Sequence, residues 1–216
     1  MKYLIHTLLA LGLMATSACQ SGGKSQANST VKNLNKFQME LQKGQDSINK
    51  AVETLNALYE EGGDMAEEYA MFCDAVDGVE SQRDRVRSVH ASLGEERESY
   101  VQAWEEGLAN IQNASMKEKA MERRDAVVEK FEDLSSSGQE TRETFDAWFA
   151  DISDIKTVLS FDLNPTGVKE LDDEIESIGK RAGKINKGLE EFTESIGKLV
   201  AALEAAKPPP AEGEKS

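Results

Sequence analysis

The sequence predicts an all-α protein, an elongated antiparallel four-helix coiled-coil bundle with a three-helix tip. Apolar residues recur seven apart along four long segments, which is the spacing at which helices pack side by side. The 216 residues include only four prolines and 6% aromatic residues, while 30% are charged. Such a composition is typical of long helices rather than of a compact enzyme.

Residues 1–18 are predicted to be a secretory signal peptide, because Lys2 precedes an apolar run that small residues follow. The run is shorter than the roughly 20 residues that a membrane-spanning helix needs. Residues 16–19, TSAC, have the form of a lipobox, although Thr stands first where leucine is usual. We therefore predict a lipoprotein acylated on Cys19, with palmitate on its new N-terminus. The alternative is an ordinary signal peptide cleaved after Ala18.

The residue after the cysteine and the charge of the chain predict the location of the protein and limit its partners. Gln20, rather than Asp, predicts the periplasmic face of the outer membrane, with the lipid as the attachment. The chain carries 25 Lys and Arg against 40 Asp and Glu, a formal net charge of −15. That charge argues against nucleic acid as a partner and against electrostatic adhesion of the whole chain to anionic lipid.

The first two helices follow a polar segment. Residues 19–29 are predicted to be a flexible linker, and the first helix to cover about 30–61, where a glycine pair ends it. Asp64 and Glu67 form a capping box that starts the second helix, over about 65–112. The first helix has two apolar rows with a spacing of seven: Leu34, Leu41, Ile48 and Leu55, and Phe37, Gly44, Ala51 and Leu58. The second has one long row: Met65, Phe72, Val79, Val86, Leu93 and Tyr100.

The third helix is predicted over about 116–162, beginning at a capping box of Ser115 and Glu118. Asn164 followed by Pro165 starts the fourth, as an N-cap residue with proline at the first helical position. The bundle then ends at residue 206, and residues 207–216 are predicted to be a disordered tail. The fourth helix carries an apolar residue at every a and d position of five heptads: Val168, Leu171, Ile175, Ile178, Ala182, Ile185, Leu189, Phe192, Ile196, Leu199 and Leu203.

Short loops make successive helices antiparallel neighbours. A first helix that begins near residue 30 reaches only the level of about residue 95 on the second helix and 132 on the third. The hairpin of the second and third helices therefore ends in a three-helix tip, covered by the end of the fourth helix. A linker of about ten residues joins the anchor near the middle of the rod and leaves the tip free.

Three stretches are similar to a known family: ALYEEGGDMAEEYAMFCDAV, WEEGLANIQNASMKEKAMERR and WFADISDIKTVLSFDLNPTGVKELDDEIESI. They resemble an uncharacterised, domain-of-unknown-function family of exported coiled-coil lipoproteins from Gram-negative bacteria. The resemblance covers roughly residues 30–205. It implies an envelope lipoprotein, and it supplies no catalytic residue.

The sequence predicts no catalytic residue, metal or cofactor. His90 is the only histidine after the signal peptide, whereas a dimetal site in a helical bundle needs a Glu-x-x-His motif on each of two helices. Arg83, His90 and Arg97 lie seven apart along the second helix. They are either solvated residues at the edge of its apolar stripe or partners of carboxylates on another helix.

Two further features have alternative interpretations. Cys73, beside Phe72, is either an inert thiol of the core or a redox-active one. Residues 135–138, Ser-Ser-Ser-Gly, weaken the third helix in its middle. They are either tolerated inside a packed bundle or form a hinge.

The tip is the candidate partner surface, with Tyr100, Trp104 and Met121 as its residues, unless they form an ordinary core. The predicted function is a membrane-anchored periplasmic scaffold, spacer or protein-interaction module without catalysis. It acts on an unknown envelope protein or through self-association. The alternative is a bundle that binds a lipid or another apolar ligand. A void of several hundred Å³ at the level of Trp104 favours the ligand, and a filled interior favours the scaffold.

Overall fold

A computed structural model describes residues 22–58 and 64–205 of the chain, with side chains from Gln26 onward. Within them lie α1 (Gly22–Ala57), α2 (Met65–Ala109), α3 (Ala114–Ser137), α4 (Gln139–Phe161), α5 (Pro165–Glu170) and α6 (Asp172–Ala205), and no strand. This confirms the predicted all-α helical bundle. The signal peptide 1–18, Cys19 and the tail 207–216 lie outside the described residues. None of the helices just named has an apolar stretch long enough to cross a membrane.

Pairs of contacting residues show the relative direction of two helices. Where the residue number in one helix falls as the number in the other rises, the two helices are antiparallel. The α1–α2 pairs are Asn33–Glu96 at 2.9 Å and Glu40–Gln82 at 2.8 Å. The α1–α6 pairs are Gln38–Thr193 at 3.0 Å and Asn49–Asn186 at 2.6 Å. The pairs between α2 and the α3–α4 rod are Arg97–Glu132 at 3.3 Å and Asp77–Lys156 at 2.5 Å. Neighbouring rods therefore run in opposite directions, and α2 alone is roughly 68 Å long at 1.5 Å per residue.

Side chains cap the helices at the predicted loops, with one change. The Asp64 carboxylate accepts the amides of Ala66 and Glu67 at 3.0 and 3.3 Å. Asn164 accepts the amides at the start of α5, where Pro165 is the first residue. The start of α3 differs from the prediction, since Asn113 rather than Ser115 is the cap. Asparagine at that position accepts the free amide of Met116 two residues into the helix, so α3 begins earlier than expected.

The linker predicted over residues 19–29 is wrong from Gly22 onward, because α1 already begins there. Ala27 is buried in the core, and the side chains of Gln26 and Ser29 donate to the carboxylate of Glu96 at 3.0 Å each. These contacts with α2 stabilise helical structure in a segment whose composition is typical of a linker. The first helix therefore reaches the level of residue 103 of α2 rather than 95.

The third and fourth predicted helices are each interrupted once in the structure. Gly138 separates α3 from α4, with φ −88° and ψ −7°, and Leu171 separates α5 from α6. The heptad row of the fourth predicted helix nevertheless forms the core, since nine of its eleven residues are buried and Leu171 and Leu189 are partly buried. The sequence pattern thus predicted the buried face but not the two breaks.

The interior consists of two separate apolar clusters. The hairpin-end core contains buried residues of α1, α2, α3 and α6, namely Ala27, Val31, Leu34, Phe37, Leu41, Val89, Leu93, Tyr100, Val127, Phe131, Leu134, Phe192, Ile196, Leu199 and Leu203. The opposite-end core includes the fully buried Trp148, whose indole Nε1 donates to the carbonyl of Ile178 at 3.1 Å. The division between the two cores falls near the middle of the bundle.

Candidate functional site: a central cavity between the two cores

Small residues occupy the heptad positions where the two cores meet. In α1, Gly44 lies in the row between Phe37 and Ala51. On the α3–α4 rod, Gly138 lies between two phenylalanines, and Thr141 lies in the row that continues to Trp148. Because Gly44 has no side chain and its nearest neighbour, Gln82, lies 4.0 Å from its Cβ position, the four rods leave space between them at this level.

The space is a cavity of about 670 Å³, which we call the central cavity. All four rods contribute apolar side chains to it: Phe37, Leu41 and Ile48 from α1, Val79 and Val86 from α2, Phe145 from α4, and Ile185, Leu189 and Phe192 from α6. Val86 and Leu189 continue the core rows of their helices but are only partly buried here. The cavity begins at His90, roughly 20 Å along α2 from Trp104, so it lies apart from the level at which a void was expected to favour a ligand.

Close packing of α4 against α6 closes one side of the central cavity. A Cβ atom on Gly138 would meet the Phe192 ring at 3.0 Å. One on Gly188 would clash with the hydroxyl of Thr141 and would come within 3.1 Å of its Cβ. These two glycines hold α4 and α6 together, and the gap therefore faces α2.

A buried polar contact lies beside the apolar walls. Gln82 lines the central cavity and is 2% exposed, and its amide donates to the carbonyl and to the carboxylate of Glu40 at 2.9 and 2.8 Å. Lys43 binds the same carboxylate at 2.7 Å. Its ammonium group and the Gln82 amide hold the pKa of Glu40 below its usual value. This polar contact fixes Gln82 on α2 against α1.

Charged residues surround the opening between α2 and α4. Arg87 and Arg142 approach the two carboxylate oxygens of Asp146 at 3.3 and 3.9 Å. Their side chains are 52% and 74% exposed, so this is the solvent side of the cavity. With Arg83 and Glu143, the residues lining the cavity include three arginines against two carboxylates, in a protein of net charge −15.

The row of Arg83, His90 and Arg97 shows both predicted behaviours. Arg83 pairs with Glu80 on its own helix and lies 4.7 Å from the centre of the Phe149 ring. Arg97 pairs with Glu132 across the bundle at 3.3 Å. His90 is exposed, and its ring centre is 5.9 Å from that of Phe37 at the edge of the cavity.

Cys73 is a half-buried free thiol. Its neighbour Tyr69 donates its hydroxyl to the carbonyl of Lys156 at 2.8 Å. Burial, together with Cys73, raises the pKa of Tyr69 to about 12. Cys73 does not line the central cavity.

The candidate partner surface is divided by the structure. Tyr100 is 2% exposed and packs its ring against Trp104 and Phe131, so it belongs to the hairpin-end core rather than to a surface. Trp104 is half-buried against the same core. Met121 is 40% exposed, and Met116, at the same end of the bundle, is 65% exposed.

Among the described residues, no cluster of three or more His, Cys, Asp or Glu side chains could hold a metal ion. No curated protein matches this chain, and no solved structure matches it. A family model described as "Protein of unknown function (DUF2959)" matches residues 17–203. The chain therefore belongs to the DUF2959 family, a family of proteins of unknown function.

Proposed function

We propose that this protein is a non-enzymatic, lipid-anchored envelope protein whose bundle holds the acyl chain of an amphipathic ligand in the central cavity. The observation that carries the proposal is the cavity itself. Its volume of about 670 Å³ lies within the range of about 300–1,000 Å³ that small-molecule sites occupy. Apolar walls left in contact with water forgo hydrophobic stabilisation, and an apolar ligand restores it.

The lining residues favour a chain-like molecule with an anionic head group. Phenylalanine, leucine, isoleucine and valine from four rods offer hydrocarbon contacts and few hydrogen bonds. The opening carries Arg87 and Arg142, whose guanidinium groups suit a carboxylate or phosphate. A fatty acid or a single-chain lipid combines these two parts.

The proposed location is the periplasmic face of the outer membrane, with Cys19 acylated and palmitate among its chains. The support is the TSAC lipobox and the Gln20 that follows it. Intact mass measurement of the protein from its own host should show a diacylglycerol and a fatty acid on Cys19. An unmodified Cys19 contradicts this part of the proposal and leaves the cavity proposal standing.

Ligand binding is tested by titrating a fluorescent fatty acid into residues 20–216, the mature chain without the acylated Cys19. Gly44→Leu places a side chain into the central cavity and should abolish saturable binding. The matched control is Gly94→Leu, because Gly94 is an exposed helical glycine of α2 with open space around its Cβ position. The proposal is wrong if the wild type does not bind, or if Gly44→Leu binds as the wild type does.

The head group is tested with a fatty acid and the fatty alcohol of equal chain length. The wild type should prefer the acid, and the double variant Arg87→Gln, Arg142→Gln should lose that preference severalfold while retaining the alcohol. Equal affinity of the wild type for the two molecules contradicts an anionic head group and leaves an uncharged apolar ligand.

A scaffold is the second candidate function. Side chains from four rods fill two apolar cores along a length of roughly 68 Å. A bundle packed in this way is stiff, which favours a scaffold. In that case the ligand titration is negative, and crosslinking in cells captures an envelope protein that Trp104→Ala releases.

A further inference from the structure

The start of α1 fixes where a lipid on Cys19 attaches to the bundle. Ser29 contacts Glu96, and α1 and α2 run in opposite directions, so Gly22 lies level with about residue 103 of α2. Only Gln20 and Ser21 separate Cys19 from Gly22, and the three Cα–Cα steps between them span at most about 11 Å. The end of α2 lies six residues beyond that level, about 9 Å further along the rod.

The hairpin end, which we define as residues 108–125, therefore lies just beyond the level at which the anchor joins the bundle. It carries Met116 and Met121 at 65% and 40% exposure, and Ile111 is half-buried. Such apolar side chains at the turn of a hairpin are suited to the boundary between head groups and acyl chains.

Charge distinguishes this end from the remainder of the molecule. The hairpin end carries four Lys and Arg against three Asp and Glu, whereas the remaining residues carry 21 against 37. An anionic bilayer repels the acidic remainder and tolerates the hairpin end, where Lys119 and Arg123 are exposed. This asymmetry orients an anchored rod with its hairpin end toward the lipid.

We infer that the hairpin end docks on the phospholipid bilayer that holds the anchor, with Met116 at the level of the acyl chains. The inference rests on the acylation of Cys19 in the proposed function. It also replaces the expectation of a free tip, because α1 begins eight residues earlier than its sequence suggests.

The test uses the full lipidated chain in vesicles of phosphatidylethanolamine and phosphatidylglycerol that contain lipids spin-labelled in their acyl chains. An environment-sensitive fluorophore is placed at Met116→Cys in a Cys73→Ser background. The matched control is Phe161→Cys, since Phe161 is 88% exposed and lies at the C-terminus of α4, in the opposite half of the rod. Docking predicts a blue shift at position 116 and severalfold stronger quenching there than at position 161.

Equal and weak quenching at the two positions overturns the inference. Shielding of the label at 116 without quenching by lipid also overturns it, because a second copy or residues 206–216 then cover the hairpin end. Intact mass measured on the same sample reports the acylation of Cys19 separately. If Cys19 is unmodified, its thiol also takes up the fluorophore, and the proposed anchor and this inference, which rests on it, both fail.

Discussion

At the scale of single residues, Glu40 illustrates how a charge is accommodated beside an apolar cavity. Its carboxylate accepts from Lys43 at 2.7 Å and from the buried amide of Gln82 at 2.8 Å. The folded state therefore favours the ionised form, with a pKa below the ordinary value of 4.5. The heptad pattern does not predict this pair, since Glu40 and Gln82 are polar residues whose burial depends on the register between α1 and α2.

The first prediction concerns the pH dependence of this contact. A lowered pKa in the folded state contributes stability that is fully present above about 4.5 and is lost as the pH falls through the lowered value. Glu40→Gln should therefore be less stable than the wild type at neutral pH and should lose less stability on acidification below 4.5. Urea midpoints measured across this range check the difference, and parallel acid profiles for the two proteins would count against it.

The second prediction compares the two tryptophans. Trp148→Ala removes a fully buried ring and leaves the carbonyl of Ile178 without its indole donor, so it should destabilise the fold by about 3–5 kcal/mol. Trp104→Ala removes a half-buried ring and should cost clearly less. Urea unfolding measures the stability of both variants. A Trp104→Ala variant as unstable as Trp148→Ala would contradict the difference in burial between the two rings.

At the scale of helices, the sequence predicted the rods and their turns because caps and heptads are local signals. Asp64 and Asn164 cap as expected, and the buried rows of α2 and α6 follow the apolar residues with a spacing of seven. The start of α1 was missed, because polar residues before Thr30 bind Glu96 on another helix. Local composition does not contain that tertiary contact.

The third prediction tests the close packing of Gly188 against Thr141, which closes the α4–α6 side of the central cavity. Gly183 and Gly188 lie five residues apart in α6, and only Gly188 has another side chain, Thr141, in the place of its missing Cβ. Gly183→Ala should stabilise the protein by about 0.5–1 kcal/mol, the usual gain for a helical glycine. Gly188→Ala should destabilise it by about 1–3 kcal/mol through overpacking, since threonine is stiff at χ1.

Thermal unfolding of the two alanine variants, read at equal protein concentration, gives the comparison. A stabilised Gly188→Ala protein means that α4 and α6 separate easily and that the gap is not fixed toward α2. The central cavity was itself readable in part from the sequence, since Gly44, Gly138 and Thr141 break the large-residue rows at one level. What the sequence lacked was the alignment of three helices that places these breaks together.

At the scale of the whole molecule, six helices hold 168 of the residues that the structure describes, 22–58 and 64–205. The fourth prediction is a circular dichroism spectrum of the mature chain above roughly 75% helix, against about 30–35% in an ordinary globular protein. The helices support one another across two cores, so the signal should be lost in a single cooperative transition. A separate early transition would show that the two halves of the rod unfold independently around the cavity.

The central claim is that the cavity between the two cores holds an acyl chain, and native mass spectrometry of residues 20–216 exported to the periplasm tests it without detergent. The wild type and Gly94→Leu should each carry one bound molecule of fatty-acid mass per chain, and Gly44→Leu should carry none. Wild-type protein that carries no ligand even after incubation with fatty acid would show that the cavity does not hold an acyl chain. A Gly44→Leu protein that still carries one would show the same.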